Sequence, residues 1–282
     1  MNGSINFPNL GIFLSNVPKS FSIGPVTIAC YGVVLAIAMV TGIWIIMKLA
    51  KLSGEDPDTI FDLGIITLAL GVAGARIYYV IFSWDYYAKY PLEIFNFRKG
   101  GLAIYGGILT GILVMHLLCR HKKMKTLRVL DIVVAGVAWG QMLGRWGNFF
   151  NREAFGDYTD NLLAMQLPVS DIRSYEITAA MSEHISTING VDYVQVHPAF
   201  LYESLWNLLV FLVLIFLLLK VKKKKTGMVF AAYLMLYGAG RFWIEGLRTD
   251  QLLLPGTALP VSQLLSALLF IGAAIWGLTP AR

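Results

Sequence analysis

Three arginines lie within apolar stretches of the chain. Gly74-Ala75-Arg76-Ile77-Tyr78, Gly144-Arg145-Trp146 and Gly240-Arg241-Phe242-Trp243 each place an arginine after a glycine and before an aromatic. A guanidinium stays charged and presents a planar fork of donors that matches carboxylate or phosphate, so arginines in apolar sequence point to an anion site. For one such residue alone, snorkelling to lipid headgroups competes on even terms with function. Three of them, with carboxylates and amides close by in sequence, favour a shared site. Tyr237, Arg241 and Glu245 recur every four residues and so share a helical face, while Arg145 stands three residues before Asn148 and is adjacent to it if that helix continues.

Several other chemistries are absent. There is no His-Glu-x-x-His zinc motif, no Gly-x-Ser-x-Gly elbow and no Gly-x-x-x-x-Gly-Lys phosphate loop. Of the four histidines, His116 falls near an inner helix end, His121 in a loop and His184 in a polar insertion. His197 alone can meet the arginines, and a histidine at a helix start is structural about as often as not. No metal centre and no cofactor are expected.

The elements that must position these groups are membrane helices. Of 282 residues, 57% are hydrophobic and 14% charged, against roughly 45–50% and about 25% in soluble domains. The mean hydropathy is +0.65, and the apolar residues form runs about as long as a bilayer-crossing helix. These features exclude a soluble enzyme, a disordered chain and a disulfide scaffold, and the continuous runs do not alternate as barrel strands do. Seven segments are predicted, at 25–47, 62–83, 100–119, 129–150, 198–219, 226–244 and 260–279, in a single membrane domain spanning 1–282. The polar stretch 157–196 reads as an extramembrane insertion between the fourth and fifth segments. Cys30 and Cys119 are expected near opposite membrane faces and unbridged, and residues 1–24 lack the pattern of a signal peptide.

The net charge of +6 is concentrated between apolar runs. Lys48 and Lys51 follow the first segment, Arg120, Lys122, Lys123, Lys125 and Arg128 the third, and Lys220 with Lys222 to Lys225 the fifth. Such bias keeps loops in the cytoplasm, so the N-terminus and the insertion are expected outside and the C-terminus inside; nucleic acid is not an expected partner. The second, fourth and sixth segments then run outward, and all three arginines fall toward their outer ends. Tyr31, Tyr105, His197, Tyr202 and Glu203 open the inward-running segments at the same level. In the membrane bilayer the abundant phosphate at that level belongs to outer-leaflet phospholipid, which makes its headgroup the natural ligand. Gly136, Gly140 and Gly144, like Gly107 and Gly111, are spaced for close helix packing. Gly147 and Gly156, which bracket a polar stretch, are expected to supply backbone freedom beside the ligand.

The run Gly144-Arg145-Trp146-Gly147-Asn148-Phe149-Phe150-Asn151-Arg152-Glu153-Ala154-Phe155-Gly156 resembles the signature of bacterial prolipoprotein diacylglyceryl transferases. The resemblance extends to Gly24-Pro25-Val26 before Tyr31, Gly74 with Arg76, Gly100-Gly101-Leu102, His197-Pro198 before Leu201-Tyr202-Glu203, and Tyr237-Gly238-Ala239-Gly240-Arg241-Phe242 before Glu245 and Arg248. It implies a multi-pass enzyme of the bacterial cytoplasmic membrane, with its site toward the outer leaflet. The reaction implied moves the diacylglyceryl group of phosphatidylglycerol to the thiol of the lipobox cysteine in a prolipoprotein signal peptide, giving a thioether and glycerol 1-phosphate. Arg145 and Arg241 match the family's two essential arginines, Asn148, Gly156, Tyr31 and Tyr237 fall on further important positions, and Glu153 lies within the signature.

One position departs from the family pattern. Many members carry a histidine where this chain has Tyr105, before Gly106 and Gly107. A thiol has a pKa near 8.5 and tyrosine one near 10, so Tyr105 is a poor resting base. Three routes stay open: Tyr105 serves through a hydrogen bond, His197 or a carboxylate takes the proton, or the arginine field removes the need for a base. A transporter or flippase for an anionic lipid or small anion is the alternative from another class, disfavoured because the polar groups gather at the outer level and not at the midplane.

Overall fold

A proline in the first turn and an acidic cap before it start the second helix where the sequence changes from polar to apolar: Asp56 accepts from Thr59 N at 2.9 Å, ahead of Pro57. The computed structural model describes residues 3–97, 100–221, 225–254, 256–257 and 259–278. Lys222 to Lys224, expected cytoplasmic anchors, and residue 279, the expected end of the seventh segment, lie outside the described residues.

The helices are α1 (Cys30–Leu52), α2 (Pro57–Phe82), α3 (Trp84–Tyr87), α4 (Ile104–His121), α5 (Thr126–Asn151), α6 (Ala179–Glu183), α7 (Ala199–Lys220), α8 (Met228–Glu245) and α9 (Val261–Leu278). The seven long ones correspond to the seven predicted segments. Five of them, α1, α2, α4, α5 and α7, are long and apolar enough to cross a membrane, and Val261–Gly277 in α9 is a shorter apolar helix. Outward-facing apolar side chains, such as Val40 at 68% exposure, would cost about 1.5–3 kcal/mol each in water. Hydrocarbon is the solvent this surface requires, and the chain is a multi-pass helical membrane protein.

The first segment starts later than expected, because residues before Cys30 form a hairpin. Strands Ser20–Ile23 and Val26–Ala29 pair antiparallel, Ile23 opposite Val26, around Gly24 at φ +58°. A glycine opening a two-residue loop is the chemistry of a tight hairpin turn. Tyr31 therefore stands in the first turn of α1. His121, expected in a loop, is the last residue of α4.

By its internal contacts the chain divides into two compact units, Met1–Gly42 with Val134–Arg282, and Ile43–Val133. In the second unit α2 packs on α4 through small residues: a Cβ on Gly106 would stand 2.7 Å from the Gly74 carbonyl oxygen, and one on Gly107 3.5 Å from that of Gly71. In the first unit a five-stranded antiparallel sheet lies outside the long helices. Its strands are Ile5–Phe7, Ile12–Leu14, Met165–Pro168, Ser186–Ile188 and Val191–Val196, ordered second, first, third, fifth, fourth. Ile5, Leu167, Met181, Val194 and Val196 bury its face against Phe149, Phe155 and Phe200. The polar insertion therefore folds together with N-terminal strands that are distant in sequence.

Candidate active site

Three helices of the first unit meet at Glu203. The indole of Trp146 on α5 donates to Ser204 Oγ on α7 at 3.1 Å, and that hydroxyl donates to the Met142 carbonyl at 3.0 Å. Trp206 on α7 donates to the Leu236 carbonyl of α8 at 2.9 Å, its indole seated against Gly240. These bonds fix Arg145, Glu203 and Arg241 at neighbouring registers. Arg145 Nη2 lies 2.5 Å from Glu203 Oε2, and Arg241 Nη1 lies 3.3 Å from both carboxylate oxygens. Arg248, just beyond α8, places Nη1 3.5 Å from Glu203 Oε1.

The arginines are held from behind as well. Arg241 Nη2 pairs with Glu245 at 2.5 Å, one turn along the face expected from the four-residue spacing. Arg248 grips Asp250 with two parallel bonds of 2.8 and 2.7 Å. Burial pushes the Asp250 carboxyl up, and the hydrogen bond and charge of Arg248 outweigh that and hold it below its ordinary value. Three cations and three carboxylates thus offset one another. Side-chain exposure separates the three arginines, with Arg145 at 23%, Arg241 at 17% and Arg248 at 12%. Arg145 and Arg241 are the more accessible, and Arg248 is committed to Asp250.

The signature stretch continues from the end of α5. Arg145 Nη1 lies 3.5 Å from Asn148 Oδ1, and Asn148 and Asn151 both donate to Glu153 Oε1, at 3.0 and 3.2 Å. Arg152 and Ala154, on either side of Glu153, have φ of +56° and +58°, a left-handed backbone that non-glycine residues adopt at a cost. The buried Arg152 side chain secures this turn by donating to the Val17 and Phe150 carbonyls at 2.5 and 3.0 Å and pairing with Asp171 at 3.1 Å. Arg152 and Asp250 are not among the residues expected at the site. The Arg-x-Asp spacing of Arg248 and Asp250 was the available signal for the second; nothing local marks the distant partners of the first.

Gly147 and Gly156 do not have left-handed backbones, so backbone freedom is not what requires them. The physical reason is close approach. A Cβ on Gly147 would stand 2.5 Å from the Tyr31 ring, and one on Gly156 would stand 2.7 Å from both His197 Cβ and the Leu247 carbonyl oxygen. Gly156 N donates to the His197 carbonyl at 2.9 Å, pinning that histidine. The His197 ring lies beside Tyr202 and Asn161, with Nδ1 3.3 Å from the Tyr202 hydroxyl. Tyr237 stacks on Tyr233 at 5.7 Å on the face of α8 that carries Arg241.

Arg76 and Tyr105 belong to the second unit. Arg76 is 4% exposed. Its five N–H groups go to the carbonyls of Glu93, Ile94, Asn96, Gly100 and Gly101, at 2.6 to 3.2 Å. It organises a loop through backbone carbonyls. Tyr105 is the second residue of α4 and is 39% exposed.

A multi-pass helical protein with guanidinium groups converging on one buried carboxylate defines a membrane protein equipped for an anionic ligand. The family model described as prolipoprotein diacylglyceryl transferase matches residues 18–279. A phosphatidylglycerol--prolipoprotein diacylglyceryl transferase of Finegoldia magna is 42% identical over 91% of this chain and 92% of its own length. Proteins with the same name from Acaryochloris marina and Clostridioides difficile are each 40% identical, over 95% and 91% of this chain and 92% of their own lengths. The chain belongs to the prolipoprotein diacylglyceryl transferase family, and the transporter alternative is not favoured.

Proposed function

We propose that the Glu203-centred cluster is where this membrane enzyme binds the phosphate of phosphatidylglycerol while its diacylglyceryl group passes to a prolipoprotein. The acceptor is the thiol of the lipobox cysteine at the end of a signal peptide, and the products are a thioether and glycerol 1-phosphate. The single observation that carries this reading is the convergence of Arg145, Arg241 and Arg248 on one carboxylate. An anionic headgroup with several oxygens can take the donors that Glu203 now occupies.

The chemistry follows from that placement. Sulfur attacks a glycerol carbon, and the C–O bond to the phosphate breaks with its electrons leaving on oxygen. Arg145 and Arg241, with their donors transferred from Glu203 to the phosphate, stabilise the charge that grows there. Asn148 and Glu153 orient Arg145 and line the headgroup site with Tyr31 and Tyr237. Gly156 lets the chain pass close to His197, Arg248 secures the far side, and Tyr105 positions substrate through its hydroxyl. Arg76 contributes indirectly, through the loop it holds.

In this reading the chain acts as one domain of the bacterial cytoplasmic membrane. The 157–196 insertion lies outside as a cap, and the site opens to the outer leaflet. The test is an assay of the purified enzyme with phosphatidylglycerol and a lipobox peptide. Diacylglyceryl-peptide and glycerol phosphate are expected to form together, and neither without the lipid. Peptide modification that persists without phosphatidylglycerol would refute the reading.

A further inference from the structure

We propose that the pocket lined by Asn161, Leu163, His197, Tyr202, Trp243 and Leu247 receives the cysteine of the acceptor peptide, and that Tyr202 with His197 takes up its thiol proton. This inference rests on the transferase reading above. The pocket encloses about 470 Å³. Leu163, Trp243 and Leu247 give it an apolar wall suited to a signal-peptide side chain, and Asn161, His197 and Tyr202 form a polar end. Tyr202 immediately precedes Glu203 on α7, and Trp243 follows Arg241 by two residues on α8, so the same two helices carry the pocket and the phosphate cluster.

The hydrogen bonds set a direction for proton movement. The Asn161 amide donates to the Tyr202 hydroxyl at 2.9 Å, and that hydroxyl lies 3.3 Å from His197 Nδ1. The Asn161 amide nitrogen also lies 3.5 Å from His197 Nδ1 and can only donate, which makes Nδ1 the accepting, basic nitrogen and turns the Tyr202 hydroxyl proton toward it. The charged and titratable side chains on the elements around His197 are Asp157 and Asp160 in the preceding loop, Tyr202 and Glu203 on α7, Arg241 and Glu245 on α8, and Arg248 beyond it. Burial holds the imidazole below its ordinary value, with Asp157 opposing. His197 is therefore neutral and able to accept at pH 7.

The reaction needs such an acceptor. A phosphodiester with one negative charge becomes a monoester whose second ionisation falls near pH 6, so a proton is released at neutral pH. The S–H proton passes to Tyr202 Oη as the tyrosine proton passes to His197 Nδ1. The freed sulfur pair forms the C–S bond, the C–O bond breaks onto phosphate, and the partly exposed imidazolium returns its proton to water.

The test uses the full-length enzyme in micelles containing phosphatidylglycerol, with a lipobox peptide, at pH 6.5, 7.5 and 9. Tyr202→Phe, which removes one oxygen, and His197→Gln are each expected to lose about 10²-fold in kcat at pH 6.5 and 7.5. Most of that loss should be recovered at pH 9, where the thiol ionises unaided. An equal loss at every pH, or wild-type rates at pH 7.5 in Tyr202→Phe, would overturn the proposal. Absence of transfer by the wild-type enzyme would instead remove the transferase reading, and this proposal with it.

Discussion

Arg76 and the pair Arg145 and Arg241 share a local motif, glycine before and aromatic after, and have opposite surroundings. All five Arg76 donors end on backbone carbonyls of one loop. Arg145 and Arg241 pair instead with the side-chain carboxylates of Glu203 and Glu245. An arginine satisfied by carbonyls cannot change partners without unravelling the chain that supplies them. One satisfied by a carboxylate can exchange it for a phosphate of like charge and geometry. The partner, more than the motif, separates a structural arginine from one able to bind ligand.

The largest effect should come from breaking the centre of the second arrangement. Glu203→Ala leaves three partly buried guanidinium groups without their shared partner and is expected to destabilise the protein by roughly 3–5 kcal/mol. Glu203→Gln, which keeps the shape and one acceptor, should lose less. Thermal unfolding in detergent reads both, and equal stability of Glu203→Ala and wild type would show that the carboxylate does not hold the cluster together.

Arg76→Lys comes next. An ammonium has three donors in place of five, so at least two loop carbonyls lose their partner, at ~2–4 kcal/mol in all. The expected signature is a lower unfolding temperature with turnover per folded molecule changed only a few-fold. A loss of turnover without a loss of stability would move Arg76 into the binding site.

The smallest effect is expected at Tyr105. Tyr105→Phe removes one hydroxyl, worth about 0.5–1.5 kcal/mol, so turnover should fall by about tenfold or less. Tyr105→His should be tolerated. Steady-state rates at matched folded protein measure both, and abolished turnover in a folded Tyr105→His enzyme would contradict a positioning role.

Much of this was legible in the sequence, and what was hidden shares a physical cause. Apolar run length locates the seven long helices, and the four-residue spacing of Arg241 and Glu245 anticipates their ion pair. The hairpin before Cys30 is masked because its β-branched and aromatic residues run without a break into the apolar start of α1. Strand Ile5–Phe7 pairs at Asn6 with Gln166, a contact between residues so far apart that no local pattern announces it. The carbonyl partners of Arg76 are invisible because any residue type carries a carbonyl. Gly147 and Gly156 look alike as flexible or as crowded positions until the Tyr31 ring and His197 are in place.

The most direct measurement compares Arg145→Lys, Arg241→Lys and Arg76→Lys as purified enzymes at saturating phosphatidylglycerol and matched folded protein. Lysine keeps the charge and loses the planar pair of donors. Turnover is expected to fall by about 10²–10³ in the first two, and by no more than a few-fold in the third. Near-normal rates for Arg145→Lys and Arg241→Lys, or equal losses in all three, would contradict the assignment of the phosphate to the Glu203-centred cluster.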